Sequence, residues 1–311
     1  MRPACVCAFA LAASLSLPLA ARAKGAEAAP ESFDTPERAA TALADAVRAN
    51  DPARLERILG PAGRVLVESG DAVADREARA RFAAEYARAH RIEPVSAKRA
   101  VLIVGAQSWP LPIPLVSSGS GWHFDAQSGA QEILNRRVGR NELAVMEVCR
   151  EYVRAQREYA ALGAAVHGPK VYAQHFLSRA GAHDGLYWPV QPGERPSPLG
   201  PLVAQARAAG YPVGESASSG HRQPYKGYLF RILTRQGAHA PGGARNYLGT
   251  DGRMTAGFAL LAYPARYGDS GVMTFIIDQH GILFEKDLGA KTAERAAAIE
   301  SFDPDASWHA P

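Results

Sequence analysis

A histidine, a carboxylate and two aromatic side chains lie close together in the chain, as His183, Asp184, Tyr187 and Trp188. Their surroundings are rich in glycine and proline, which predicts an irregular loop. An imidazole, a carboxylate and exposed rings can hold a polar ligand or a metal ion. His183 and Asp184, the two of these that commonly ligate metals, have neither the i, i+4 spacing of helical ligands nor the i, i+2 spacing of strand ligands, so we predict no metal. The four are our candidate ligand-binding residues; the alternative, which the spacing favours, is that the loop caps a sheet.

A Gly-Asp-Ser-Gly sequence at 268–271 is similar to the nucleophile motif of trypsin-like serine proteases. That chemistry needs a histidine base, a buried aspartate and an oxyanion hole around the serine. Val272 stands where the protease motif has a further glycine, and no histidine lies in an Ala-Ala-His-Cys sequence. Because Asp and Ser favour turns, we predict that Ser270 forms a turn and that the chain has no catalytic residue here.

Two carboxylates, Glu285 and Asp287, fall on one face of a predicted strand. Paired carboxylates can carry out acid–base chemistry of the glycosidase type. Asp278 and Lys286 lie nearby, and this mixture of charges favours the alternative of a solvated sheet edge.

The first residues have the pattern of an export signal. Arg2 precedes the apolar run AFALAASLSLPLAA, and Ala21-Arg22-Ala23 fits the rule for a signal-peptidase site. We therefore predict a signal peptide over residues 1–23, a mature start at Lys24 and a periplasmic or secreted protein. The run is too short to span a bilayer comfortably, so we predict no stable membrane insertion after cleavage.

Charge and cysteine content exclude several classes of function. The chain has 35 basic and 31 acidic residues, and removal of the signal leaves 33 against 31. This balance argues against a nucleic-acid partner. Of the three cysteines, Cys5 and Cys7 lie in the signal, so the mature chain keeps only Cys149 and no internal disulfide is possible. We expect Cys149 to be buried, and we expect no cofactor.

Residues 33–135 show helices first and strands afterwards. Thr35-Pro36-Glu37 and Asp51-Pro52 are typical helix starts, and a third helix is predicted over 75–89. Strands are predicted over 100–105, 111–116 and 121–125, with the prolines at 110, 112 and 114 placing the middle one at a sheet edge. Thr35-Pro36, Asn50-Asp51-Pro52 and GWHFD at 121–125 resemble nuclear transport factor 2-like proteins, which implies a cone-like sheet with a pocket. For Trp109 and Trp122, packing in the core is favoured over lining that pocket.

An amphipathic helix is predicted over 141–161, with Asn141 as its cap after Gly139-Arg140. The segments ELAVMEVCREYVRAQREYA, PYKGYLFRIL and FALLAYPARYGDSGVMTF resemble the globular part of type IV pilins and pseudopilins. That resemblance implies a long helix packed on an antiparallel sheet. Residues 272–277 are apolar on both faces, which predicts a central strand. The polar sequence ILNRRVGRNE stands where pilins have an apolar stem, so we do not expect filaments.

Longer blocks resemble one bacterial exported family, domain of unknown function 2950. They are EILNRRVGRNELAVMEVCREYV, DGLYWP, PLGPLVAQA, PYKGYLFRILTRQGAHAPGGARNY and SGVMTFIIDQHGILFEKDLG. The blocks lie between residues 132 and 289, and the resemblance as a whole runs from Phe33 to Trp308. The family resemblance implies no activity.

The sequence as a whole predicts an α+β protein with a cone-like unit over 33–135 and a pilin-like unit over 140–311. We expect a non-catalytic binding or scaffolding protein of the cell envelope, whose partner is another envelope protein or a small ligand. The alternative is a hydrolase or isomerase that uses the cone pocket. Enzymes of that shape place Asp, His or Tyr inside the sheet, whereas the predicted strands carry only His123 and Asp125.

Overall fold

A computed structural model describes residues 29–119, 121–167, 170–212 and 223–311. The chain has an α+β fold, as predicted. The predicted signal peptide over residues 1–23 and the polar sequence at 215–221 lie outside the described residues. No described helix combines the length and the apolar character needed to cross a membrane.

Four α-helices come first among the described residues, and local caps explain where three of them begin. The Thr35, Asp51 and Asp71 side chains accept hydrogen bonds from the first-turn N–H groups of their helices at 3.2, 2.9 and 3.0 Å. Proline follows the first two caps, so the helix starts predicted there are confirmed. The helices are α1 Pro36–Arg48, α2 Pro52–Leu59, α3 Arg64–Val67 and α4 Ala72–Arg88.

An antiparallel sheet follows these helices. Its strands are β1 His90–Ser96, β2 Arg99–Val104, β3 Trp109–Pro110, β4 Leu115–Ser118 and β5 Gly121–Phe124. The order is β1-β2-β4-β5, with β3 also paired to β2. The prediction that prolines place the middle strand at an edge is wrong: Pro112 and Pro114 lie in the connection before β4, where no ladder N–H is needed. The edge strand β1 was not predicted, because it is short of apolar residues and almost entirely exposed.

One helix, α5 Ala126–His167, runs for 42 residues. The predicted helix start at Gly139-Arg140-Asn141 is therefore wrong, because these residues lie inside α5. Asn141 does not cap a helix; its side-chain amide donates to the carbonyl of Ser270 at 2.8 Å. A glycine within a helix costs only about 1 kcal/mol, which the tertiary contacts of so long a helix offset.

The buried side chains of the described residues form two hydrophobic cores, and α5 passes from one to the other. Ile133 packs against the first core, whereas Val145 belongs to the second. The first core is built by α1, α2 and the first sheet, with Ile58, Leu102, Leu115 and Phe124 at its centre. We call residues 29–133 the N-terminal unit and residues 145–311 the C-terminal unit. Their division into independently folding domains stays a prediction.

Short elements link α5 to the second sheet. They are β6 His175–Leu177, β7 Gly185–Tyr187 and α6 Gly200–Ala208. β6 and β7 pair in parallel. The second sheet then contains β8 Tyr228–Leu233, and a small ribbon is formed by β9 Arg235–Gln236 and β10 Arg245–Asn246.

The second sheet is completed by β11 Ala259–Pro264, β12 Met273–Asp278 and β13 Leu283–Asp287, before the last helix, α7 Thr292–Ala298. All its pairs are antiparallel in the order β13-β12-β11-β8. The predicted central position of β12 is confirmed, and both Phe275 and Ile276 are buried although they face opposite sides. α5 packs on this sheet through Val145, Cys149 and Tyr152.

Candidate functional site

A cavity of about 570 Å³ opens in the N-terminal unit between α4, the early turns of α5 and the first sheet. Its volume lies within the range of roughly 300–1,000 Å³ that is usual for ligand sites. The inner wall is apolar, because α1, α2 and the sheet turn their core side chains toward it. The wall residues include Leu43, Val47, Leu55, Leu59, Val104, Leu111 and Ile113.

Arginines surround the apolar wall. Six guanidinium groups line the cavity, against the two carboxylates Asp75 and Glu85. Glu77 and Glu132, which are not part of the lining, pair with two of the arginines. The lining arginines are Arg79, Arg81, Arg88, Arg136, Arg137 and Arg140. The cavity therefore joins an apolar interior to a positively charged boundary.

Helix α4 forms one side of the cavity, and most of its side chains are exposed or half-buried. Within it, only Asp75 and Tyr86 are buried. Phe82 is half-buried and lines the cavity one turn before Tyr86, with 6.3 Å between the two ring centroids. Asp75 accepts a hydrogen bond from the N–H of Ser69 at 2.9 Å, which fixes its carboxylate at the start of the helix.

Helix α5 supplies the other side, because Ile133, Arg136, Arg137 and Arg140 recur at the spacing of one helical face. The Arg136 guanidinium lies 5.4 Å from the ring centroid of Trp109, a cation–π contact at the cavity wall. Trp109 thus lines the cavity as well as packing on the core, which corrects the prediction of a core role alone. Trp122 packs on the core and is not in the lining.

Arg137 fastens α5 to the segment before α4. Its guanidinium donates to the carbonyls of Val65 and Leu66 at 2.8 and 2.7 Å. Burial lowers the pKa of Arg137, an effect that Asp75 and Asp269 oppose. An arginine remains protonated under such shifts, so the group is a positive charge with neutral hydrogen-bond partners.

The start of α4 is tied to the C-terminal unit through Asp71. Besides capping the helix, the Asp71 carboxylate accepts from the Tyr211 hydroxyl at 2.9 Å and from the Gly227 N–H at 2.8 Å. Asp71 is only 1% exposed. Burial raises the pKa of Tyr211, and the neighbouring Asp71 charge raises it further, so the phenol stays a donor. One wall of the cavity is thereby held by both units.

A protein-family description matches residues 30–310, and it reads "protein of unknown function (DUF2950)". The chain belongs to the DUF2950 family. The family resemblance predicted from the sequence is thus confirmed. No curated protein and no solved structure matches the chain. The likeness of the DUF2950 chain to pilins and to nuclear transport factor 2-like proteins is not confirmed.

The candidate ligand-binding residues of the DUF2950 chain lie away from the cavity, around β7. The imidazole of His183 stacks on Trp188, with 4.5 Å between ring centroids. The Asp184 carboxylate accepts from the backbone N–H and the Nε of Arg179 at 2.9 and 2.5 Å, which lowers its pKa although partial burial opposes this. No group of three or more His, Cys, Asp or Glu side chains in the described ranges could hold a metal ion.

Only two of these four residues line a common groove. Tyr187 and Trp188 border a groove of about 400 Å³ together with prolines and Arg207. The Arg207 guanidinium lies 5.3 Å from the Tyr187 ring centroid. His183 and Asp184 are not in the lining of this groove, although the His183 ring stacks on Trp188, so a ligand site at these four residues stays a prediction.

The Gly-Asp-Ser-Gly sequence forms the turn between β11 and β12. Ser270 is 0% exposed, and its hydroxyl donates to the carbonyl of Arg266 at 3.0 Å while accepting from the Arg266 N–H at 2.9 Å. Both hydrogen bonds close the turn.

Of the two carboxylates on β13, Asp287 is exposed as predicted, whereas Glu285 is less solvated than predicted. Glu285 is half-buried, and its backbone pairs with that of His309, so the end of the chain covers this edge. Burial raises the pKa of Glu285, and repulsion from Glu142 adds to the shift. The Asp287 carboxylate accepts from the Tyr267 hydroxyl at 3.1 Å.

The arginine boundary is the feature that the sequence reasoning missed. Three of its members stand in ILNRRVGRNE, which reads as a polar connection when a helix start is placed at Asn141. Extending the helical spacing through Gly139 would have put Ile133, Arg137 and Arg140 on one face. His123 and Asp125, the residues considered for a catalytic pocket, are not part of the cavity lining.

Proposed function

We propose that this DUF2950 protein is an exported binding protein whose N-terminal cavity holds a small, predominantly apolar molecule. The observation that carries the proposal is the apolar inner wall, which the residues of the first core build around a space of about 570 Å³. An apolar space of this size excludes water from the surface of a fitting ligand and so favours its binding.

The sequence supports the proposed export of the protein to the cell envelope. The predicted signal peptide over residues 1–23 supports transport out of the cytoplasm. A carrier or sensor of apolar molecules is useful in such a compartment, because these molecules move poorly through water between membranes.

The lining supports binding over catalysis. Each of its carboxylates has a partner: Asp75 accepts from the Ser69 N–H, and Glu85 pairs with Arg88 at 3.2 Å. The remaining polar lining consists of arginines and Gln107, which orient a ligand but are poor proton acceptors at neutral pH.

A neutral fluorescent probe, N-phenyl-1-naphthylamine, tests the proposal. We expect the mature chain to bind it saturably, with the rise in fluorescence that transfer to an apolar site produces. Ala78 is exposed on α4 and lines the cavity, so Ala78→Trp should fill the opening and abolish the signal. Ala80→Trp places the same ring on the same helix away from the lining and should retain it. Absence of saturable binding, or equal loss in both variants, would refute the proposal.

A further inference from the structure

Three of the cavity arginines, Arg79, Arg137 and Arg140, form no ion pair with a carboxylate in the described part of the chain. The Arg79 Nε donates to the Asn50 side-chain oxygen at 2.6 Å, and a terminal nitrogen donates to the Val67 carbonyl at 3.0 Å. Arg137 likewise donates to backbone carbonyls. Among the described residues, neither guanidinium has a carboxylate within 4.0 Å. Neutral partners hold these groups in place, and neither guanidinium forms an ion pair with a described carboxylate.

Arg140 is the least engaged of the three. It forms no hydrogen bond or ion pair with any residue in the described part of the chain. Partial burial lowers its pKa, and the positive charges of Arg81 and Arg136 lower it further. Arg140 therefore points at the cavity boundary within a cluster of like charges.

Arg140 lies beside Arg81 and Arg136, and in the described part of the chain only these last two have carboxylate partners, Glu77 and Glu132, so the charge of Arg140 costs stability. Like charges close together repel, and desolvation increases the repulsion. A bound anion would offset this cost through charge-assisted hydrogen bonds, for which guanidinium groups have suitable planar geometry. An anion lying alone at the boundary, however, would leave the apolar wall beside it unused.

The apolar wall and the arginine boundary of the cavity together indicate a ligand with an apolar part and an anionic part. Resting on the function proposed above, we propose that the ligand is an amphiphile with one apolar chain and an anionic head. The chain lies along Leu55, Leu111 and Ile113, and the head lies between α4 and α5 at Arg137 and Arg140. The head is a carboxylate or a phosphate, both of which accept hydrogen bonds from a guanidinium fork.

Displacement of N-phenyl-1-naphthylamine by four compounds of equal chain length tests whether the ligand has an anionic head. They share a dodecyl-length chain: dodecanoate, dodecyl phosphate, dodecanamide and dodecyltrimethylammonium. We expect at least one anion to displace the probe at a concentration about tenfold below that of the neutral amide, and the cation to be weakest. The advantage of the anion should shrink as salt is added, because the boundary is partly exposed. The anion that displaces the probe at the lower concentration identifies the head as a carboxylate or a phosphate.

Arg140→Gln is the decisive variant, since Arg140 has no described partner to lose and the fold should be kept. We expect the preference for anion over amide to fall about fivefold, with probe affinity unchanged. Arg150→Gln removes the same charge from the same helix outside the cavity and should leave the preference as it was.

Equal displacement by anion and amide, or an unchanged preference in Arg140→Gln, would overturn the anionic head while leaving an apolar cavity site intact. Failure of the neutral probe itself to bind would instead refute the function proposed for the cavity.

Discussion

The carboxylate of Asp71 accepts hydrogen bonds from both units of the chain. It receives the Ala74 N–H at the start of α4, and the Tyr211 hydroxyl and Gly227 N–H from the C-terminal unit. A buried carboxylate of this kind is stable only while its donors remain. The Asp71 side chain therefore holds α4, and with it one wall of the cavity, in place against the C-terminal unit.

Asp71→Ala should lower the free energy of unfolding by about 3–5 kcal/mol, because the helix loses its cap and two further donors lose a charged acceptor. Asp51→Ala is the matched control. Asp51 caps α2 in the same way and should cost about 1 kcal/mol. Urea unfolding measures both. Equal losses in the two variants would show that the contacts with Tyr211 and Gly227 contribute nothing.

Cys149 is the residue whose reactivity the structure fixes most clearly. It is 0% exposed, and burial raises the pKa of its thiol to about 12. A raised pKa keeps the thiol protonated, so at pH 8 only about one molecule in ten thousand carries the reactive thiolate. The mature chain should react with an aromatic disulfide reagent only after denaturation, and Cys149→Ala should not react at all. Rapid, stoichiometric labelling of the native chain would contradict this burial.

At the scale of elements, α5 matters most because it contributes to both cores. Asn141 and Glu142 anchor its middle to the turn before β12. Glu142 accepts from the N–H groups of Val272 and Met273, each at 2.9 Å. These contacts keep the helix continuous through Gly139 and thereby direct the preceding arginines toward the cavity.

Two glycines of α5 test its continuity. A Cβ at Gly139 would meet nothing within 4 Å, so Gly139→Ala should stabilise the protein by about 0.5–1 kcal/mol. A Cβ at Gly129 would lie 2.4 Å from the Pro112 carbonyl oxygen, so Gly129→Ala should destabilise it. Thermal unfolding of both variants shows whether each substitution raises or lowers the stability of the protein. A destabilising Gly139→Ala would indicate that the chain leaves the helix at this point.

Local signals made several elements predictable. Thr35 and Asp51 predict helix starts, because a cap side chain accepts hydrogen bonds from N–H groups in the next turn. The central strand β12 is predicted by its apolar residues on both faces. The continuity of α5 could not be predicted, because Gly139 and Asn141 are local signs of a boundary and the opposing contacts come from the distant turn at Ser270. The α5 part of the arginine boundary was missed for the same reason, since Arg136, Arg137 and Arg140 share one face toward the cavity only when α5 is continuous.

At the scale of the whole molecule, the proposal of export can be tested by the mass of the chain. When the full chain is expressed in a bacterium with an intact secretion pathway, the recovered protein should begin at Lys24. Intact-protein mass spectrometry measures this directly. A chain that retains Met1, or one that carries a lipid, would contradict the proposed route.

The central claim is that the cavity between α4 and α5 binds a ligand, and a crystal structure of the mature chain grown with saturating dodecanoate tests it most directly. We predict continuous density for the chain against Leu111 and Ile113, with the carboxylate about 3 Å from the guanidinium of Arg140. An empty cavity at saturating ligand, or dodecanoate bound only elsewhere on the protein, would contradict the account.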